Sequence, residues 1–165
     1  MTNSENKPAL RPAFEVLPGS VVVLEVEGAP AVFVKAERIG KEYIHHYAVQ
    51  LHPKTEGPLG MVYLDPEDEV FDTAMGVHFQ FGEGCDSPPE AGHAFENAKG
   101  HFIKVNDDPK SQKMFGFIEC STGIICRRQE RAVTAVYTSW RAECTSGSET
   151  VAIEEAFSLF EKLKA

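Results

Sequence analysis

The stretch Val21-Val22-Val23-Leu24-Glu25-Val26-Glu27-Gly28-Ala29-Pro30-Ala31-Val32-Phe33-Val34-Lys35-Ala36-Glu37 decides the fold. Val22, Leu24 and Val26 alternate with Val21, Val23 and Glu25, and Val32, Val34 and Ala36 alternate with Lys35 and Glu37. A period of two sends successive side chains to opposite faces of a strand, and Gly28-Ala29-Pro30 supplies a turn between the two runs. The stretch therefore reads as an antiparallel hairpin, introduced by the turn signal Leu17-Pro18-Gly19-Ser20.

Working outward, residues 1–12 have almost nothing to bury and are expected to form a disordered tail ahead of a single β-rich domain over 13–165. In Tyr43 to Leu51 the odd positions are the more apolar, which turns Tyr43, His45, Tyr47, Val49 and Leu51 inward and His46 to solvent. Met61 to Leu64 is a further strand, and Asp65-Pro66-Glu67-Asp68-Glu69 a charged turn. Val77, Phe79 and Phe81 alternate with His78 and Gln80 as a half-buried strand, and Gly82 to Gly92 is loop. Phe95 to Lys99 suggests a helical turn, His101 to Val105 a strand, and Asn106-Asp107-Asp108-Pro109 a turn. Lys113 to Cys120 and Ile124 to Arg128 form a hairpin about Ser121-Thr122-Gly123, and Thr134 to Cys144 is the last strand.

After Gly147 the period changes to 3.6. Ile153, Ala156, Phe157, Phe160 and Leu163 fall on one stripe, with Ser146, Ser148 or Thr150 offering N-cap chemistry. The expected fold class is thus mainly β (α+β): an antiparallel, barrel-like or sheet domain with one C-terminal amphipathic helix. Its sub-units would be a small SH3-like barrel over 14–72, a second antiparallel sheet over 73–147 and the helix over 148–165.

Composition narrows the class. A chain of 165 residues with 42% hydrophobic and 25% charged residues holds an ordinary core without staples, and no run of about 20 apolar residues suggests a membrane span. The net charge of −9 disfavours nucleic acid. Cys85, Cys120, Cys126 and Cys144 form no crowded framework, no N-glycosylation sequon occurs, and no apolar leader opens the chain, so a cytoplasmic setting with free thiols is expected.

The short signatures of nucleotide, serine-hydrolase and zinc chemistry are absent from the sequence. His78, Cys85, His93 and His101 are metal-ligating types, but they lie seven or eight residues apart rather than in close pairs, so neither metal nor cofactor is expected. Tyr43-x-His45-x-Tyr47 sets an imidazole between two phenols on one face, a candidate for ligand binding or proton transfer. Arg127, Arg128, Arg131 and Arg141 gather positive charge in an acidic chain and are candidates for holding an anion or acidic partner, with Trp140 beside them. Cys120 and Cys126 would be diagonal neighbours across their hairpin, too far apart for a disulfide.

Leu17 to Leu24 followed by Pro30 to Val34 loosely resembles the opening of small SH3-like barrels, including the PemK/MazF type of ribonuclease toxin. The resemblance covers a turn and two strands and carries no catalytic residue to a position here. Two functional readings follow. The first is a non-catalytic binding or assembly module, acting as a homo-oligomer, a dimer through the aromatic second half, or with a protein partner. The alternative is a small-barrel enzyme, ribonuclease-like or acting on a small molecule, through His45, His93 or the four arginines. A deep pocket holding His45 or His93 beside a carboxylate would favour the enzyme.

Overall fold

The computed structural model describes residues 7–54, 59–90, 92–105, 116–126 and 132–165. In chain order it contains β1 (Ala9–Pro12), a single 3-10 turn (Ala13–Glu15), β2 (Ser20–Val26), β3 (Ala29–Ile39), β4 (Ile44–His52), β5 (Met61–Leu64) and β6 (Glu69–Phe81). There follow β7 (Gly84–Cys85), β8 (Ala94–Asn97), β9 (Gly100–Val105), β10 (Gly116–Glu119), β11 (Ile125–Cys126), β12 (Ala135–Tyr137), β13 (Trp140–Ser146), β14 (Glu149–Ala152) and α1 (Glu155–Lys164). The protein is mainly β, with two antiparallel sheets and a C-terminal helix, as the alternating pattern requires.

The larger sheet has the order β14-β13-β6-β2-β3-β4-β5, with β1 also on β6; the smaller has the order β11-β10-β9-β8-β12-β7. The β2–β3 hairpin pairs Val21 with Val34 and Val26 with Ala29. One core lies between the sheets: Val21, Val23, Val32, Val34, Tyr47 and Val49 from the larger sheet meet Ala94, Ile103, Val105 and Ile118 from the smaller, with Ala156 and Phe160 of α1 at one side.

The thirteen-residue β6 organises the larger sheet. Glu69 to Asp72 pair with β1, Gly76 to Phe81 pair with β13, and β2 runs along the opposite edge. Between the two partners the strand bends at Ala74, whose φ of 62° lies in the left-handed region. Asp72 Oδ1 accepts the Ala74 N–H at 2.9 Å, and Thr73 Oγ1 both donates to Val21 O at 2.6 Å and accepts from Met75 N–H at 3.2 Å, so the bend keeps its polar groups satisfied.

Several expectations change. The end of the expected tail is the strand β1, because β6 offers it a free edge. Phe95 lies in a strand rather than a helical turn, since β9 and β12 flank it on both sides. β6 crosses the 72/73 boundary and β13–β14 join the first-half sheet, so the sheets do not follow the chain's halves. The stretch from Thr134 breaks at Thr138-Ser139, sending β12 to one sheet and β13 to the other. Gly147, φ 61°, and Ser148 turn the chain into β14, and Glu154 caps α1 without a side-chain bond, in place of Ser146, Ser148 or Thr150. In the β10–β11 hairpin Ile118 faces Ile125 and Phe117 faces Cys126, one residue away from the expected register, because Glu119 N–H reaches Ile124 O and the loop is Cys120–Gly123. All four cysteines are free. The turn at Asn106-Pro109 and Lys113 to Phe115 lie outside the described residues.

The β10–β11 loop is the joint between the sheets. Gly123 has φ 75°, its carbonyl accepts Glu37 N–H at 3.2 Å, and a Cβ there would lie 2.4 Å from Gly19 N. Only glycine fits both the backbone conformation and the contact.

Phe160, 8% exposed, lies 5.5 Å from Phe71 across the helix–sheet contact. Phe160→Ala is expected to cost about 3–5 kcal/mol in urea unfolding. Leu163 is 45% exposed, so Leu163→Ala should cost less than about 1 kcal/mol.

Candidate functional site

Among the sequence candidates, Trp140 and Arg141 come to line cavities. The first two residues of β13 lie between two lobes that share them. One lobe, about 320 Å³, continues over Leu51, His52, Lys54, Ile153 and Glu154; the other, about 270 Å³, over Gln80, Phe81, Gly82 and Ser139. The site arises because β4 runs out at His52 beside the entry to α1, and Lys54, two residues on, reaches back across the sheet. Its Nζ donates to Trp140 O at 3.2 Å and sits 3.8 Å from the centre of the indole ring. Burial lowers the Lys54 pKa from its ordinary value.

The remaining charges of the lobes are matched in pairs. Arg141 Nη2 meets Glu143 Oε1 at 3.0 Å, and Arg141 Nε donates to Gln80 Oε1 at 2.8 Å. His52 Nδ1 lies 3.9 Å from Glu154 Oε1, with its ring edge-on to Phe157. The indole Nε1 donates to Gly92 O at 2.8 Å. Among the described residues, Lys54 has no carboxylate within ion-pair distance. Lys54 and His52 carried no signal in the sequence, because a lone lysine after a proline reads as loop.

The Tyr43, His45, Tyr47 face exists. His45 lies 4.9 Å from Tyr43 and 6.5 Å from Tyr47, and β5 adds Tyr63 at 6.4 Å. Only its inner end is core: Tyr47 is fully buried, whereas Tyr43 is 65% exposed at the β3–β4 tip. None of the cavities described here is lined by His45 or His93. His93 accepts Glu90 N–H through Nδ1 at 3.2 Å and ties its own loop. His101 stacks on Phe81 at 4.4 Å with the rings 9° from parallel, and its Nε2 lies 3.4 Å from Glu96, whose other oxygen accepts the Tyr137 hydroxyl at 3.1 Å. No three His, Cys, Asp or Glu side chains converge as a metal site among the described residues. Arg127, Arg128 and Arg131 lie outside them.

His46 departs from the expectation of a solvent-facing residue. The N-terminal turn Ala13–Glu15 and Val16 cover the outer face of β2–β3–β4, so both faces of these strands are buried. On that face Lys35 is fully buried; its Nζ donates to Val16 O at 3.0 Å, lies 3.0 Å from His46 Nδ1, and meets Glu37 Oε2 at 3.4 Å. Burial lowers the Lys35 pKa against the pull of Glu37. His46 is lowered from 6.5, first by burial and then by the neighbouring Lys35 charge, against the opposing Glu37. Largely buried, these three groups hold the N-terminal segment in place.

No protein-family model, curated protein or solved structure matches the chain.

The lowered His46 pKa means that the unfolded chain takes up a proton more readily than the native one. Its contribution to stability is therefore complete above pH 6.5 and is lost as pH falls through the depressed native value. Urea midpoints measured from pH 8 to pH 5 should fall below pH 6.5, and the part of that fall due to His46 should vanish in His46→Gln.

Proposed function

We propose that the protein is a non-catalytic binding module whose cleft at Trp140 and Arg141 receives a small ligand through an anionic group. One observation carries this reading: the Lys54 ammonium, poised on the Trp140 ring in a lobe of about 320 Å³, is not ion-paired with any described carboxylate, while Arg141 and His52 each face one. A concave, partly apolar site with one poised charge is a common form of small-ligand pocket. The enzyme alternative through His45 or His93 has no such cavity behind it among those described. The four free cysteines support a reducing, cytoplasmic setting.

Titration calorimetry with acetate and inorganic phosphate at pH 7 tests the reading. Saturable binding is expected, weakened about tenfold or more by Lys54→Met, the size of one charge-assisted hydrogen bond. Absence of heat with both anions, or binding unchanged in Lys54→Met, overturns it.

A second reading, assembly, is favoured by Ile39, Tyr43 and Ile44, which are 67%, 65% and 45% exposed at the β3–β4 tip. The aromatics Phe117, Tyr137 and Trp140, which suggested a dimer through the second half, find packing partners within the chain. A homodimer would then form through the β3–β4 tip. Sedimentation equilibrium at micromolar concentration should show a dimer that Ile39→Lys dissociates; a single 18.2 kDa species removes this reading.

A further inference from the structure

The two lobes share one residue pair, and their surfaces differ in kind. Building on the anion-binding reading, we infer that the cleft takes an anionic group carried on a flat apolar ring: the anion at Lys54 in the first lobe, the ring against Phe81 and Trp140 in the second.

Several polar groups of the second lobe are engaged within the protein. Gln80 is taken by Arg141 Nε, Arg141 Nη2 by Glu143, the indole N–H by Gly92 O and the Trp140 carbonyl by Lys54. Phe81 and Trp140, neighbours across the β6–β13 ladder, line this lobe together with Ser139. At Gly82, which also lines this lobe, a Cβ would lie 2.2 Å from Ser139 Oγ. Phe81 packs against the parallel ring of His101 and against Tyr137 at 5.0 Å, which fixes its plane. Aromatic walls reward an offset or edge-on ring beyond simple burial. The lobe's 270 Å³ exceeds the roughly 150 Å³ of an apolar cavity that takes up benzene. Lys54 lines the first lobe, and its ammonium stands over the ring of Trp140, a residue that both lobes share. A ligand with only the anion leaves the aromatic lobe wet, and a neutral ring leaves the ammonium unanswered.

Trp140 is the chain's single tryptophan, so its fluorescence reports occupancy directly. Titration of the full chain at pH 7 with benzoate, phenyl phosphate, acetate, inorganic phosphate and benzyl alcohol, followed by fluorescence and calorimetry, separates the parts. Benzoate or phenyl phosphate should bind at least about tenfold more tightly than acetate or inorganic phosphate respectively, and more tightly than benzyl alcohol; which of the two wins identifies carboxylate or phosphate as the anion. Phe81→Leu, which keeps an apolar side chain in the core, should remove most of the ring's advantage and leave acetate binding as it was. Lys54→Met should bring benzoate down to the level of benzyl alcohol. Anions that bind equally with and without the ring overturn this inference and leave the anion-binding reading standing. Benzyl alcohol binding as well as benzoate overturns both, as does no response to any of the five.

Discussion

A single bent strand constrains this structure. β6 must satisfy β2 along one edge and two successive partners, β1 and β13, along the other, and the left-handed Ala74 lets it turn from one to the next. Alanine in that conformation costs on the order of 1 kcal/mol, and the Asp72, Thr73 and Met75 bonds hold it there. Beyond the bend, Phe79 and Phe81 are brought against Trp140, and with them the wall of the cleft. The candidate site is thus a product of strand geometry at a place remote from it.

The covering of the outer face has the other large effect. An ordinary antiparallel sheet presents one face to water, and the alternation of Lys35 and Glu37 with Val34 and Ala36 fits that picture. Here the N-terminal segment lies over the supposed wet face, so a lysine, a glutamate and a histidine must satisfy one another in the dry. Such a cluster is costly to bury and costly to break. It gives the N-terminal segment one defined seat, through Lys35 and the Val16 carbonyl.

The sequence made the fold class legible because its strongest periodicities, at Val21–Val34, Val77–Phe81 and Ile153–Phe160, are those of the central hairpin, the long strand and the helix face. Partnership was less legible. Nothing local in Trp140 to Cys144 says that this strand joins β6 rather than β12, and a single added residue in the Cys120–Gly123 loop reverses which side chains oppose each other. Of the site, Trp140 and Arg141 were visible as an aromatic and a charge in a strand. Lys54 and His52 became neighbours of Trp140 only through the fold, with 86 residues between lysine and indole. The Tyr43, His45, Tyr47 pattern correctly described a face, but a face is not a pocket.

Gly123 bears on the order of events during folding. The β10–β11 hairpin closes over a four-residue loop and can form early and locally, whereas its tip docks on Gly19, about a hundred residues earlier in the chain. That docking seats two distant turns of the chain against each other. The two sheets therefore lock late, and the larger one is itself complete only when β13 and β14, which follow Gly123 in the chain, have joined it.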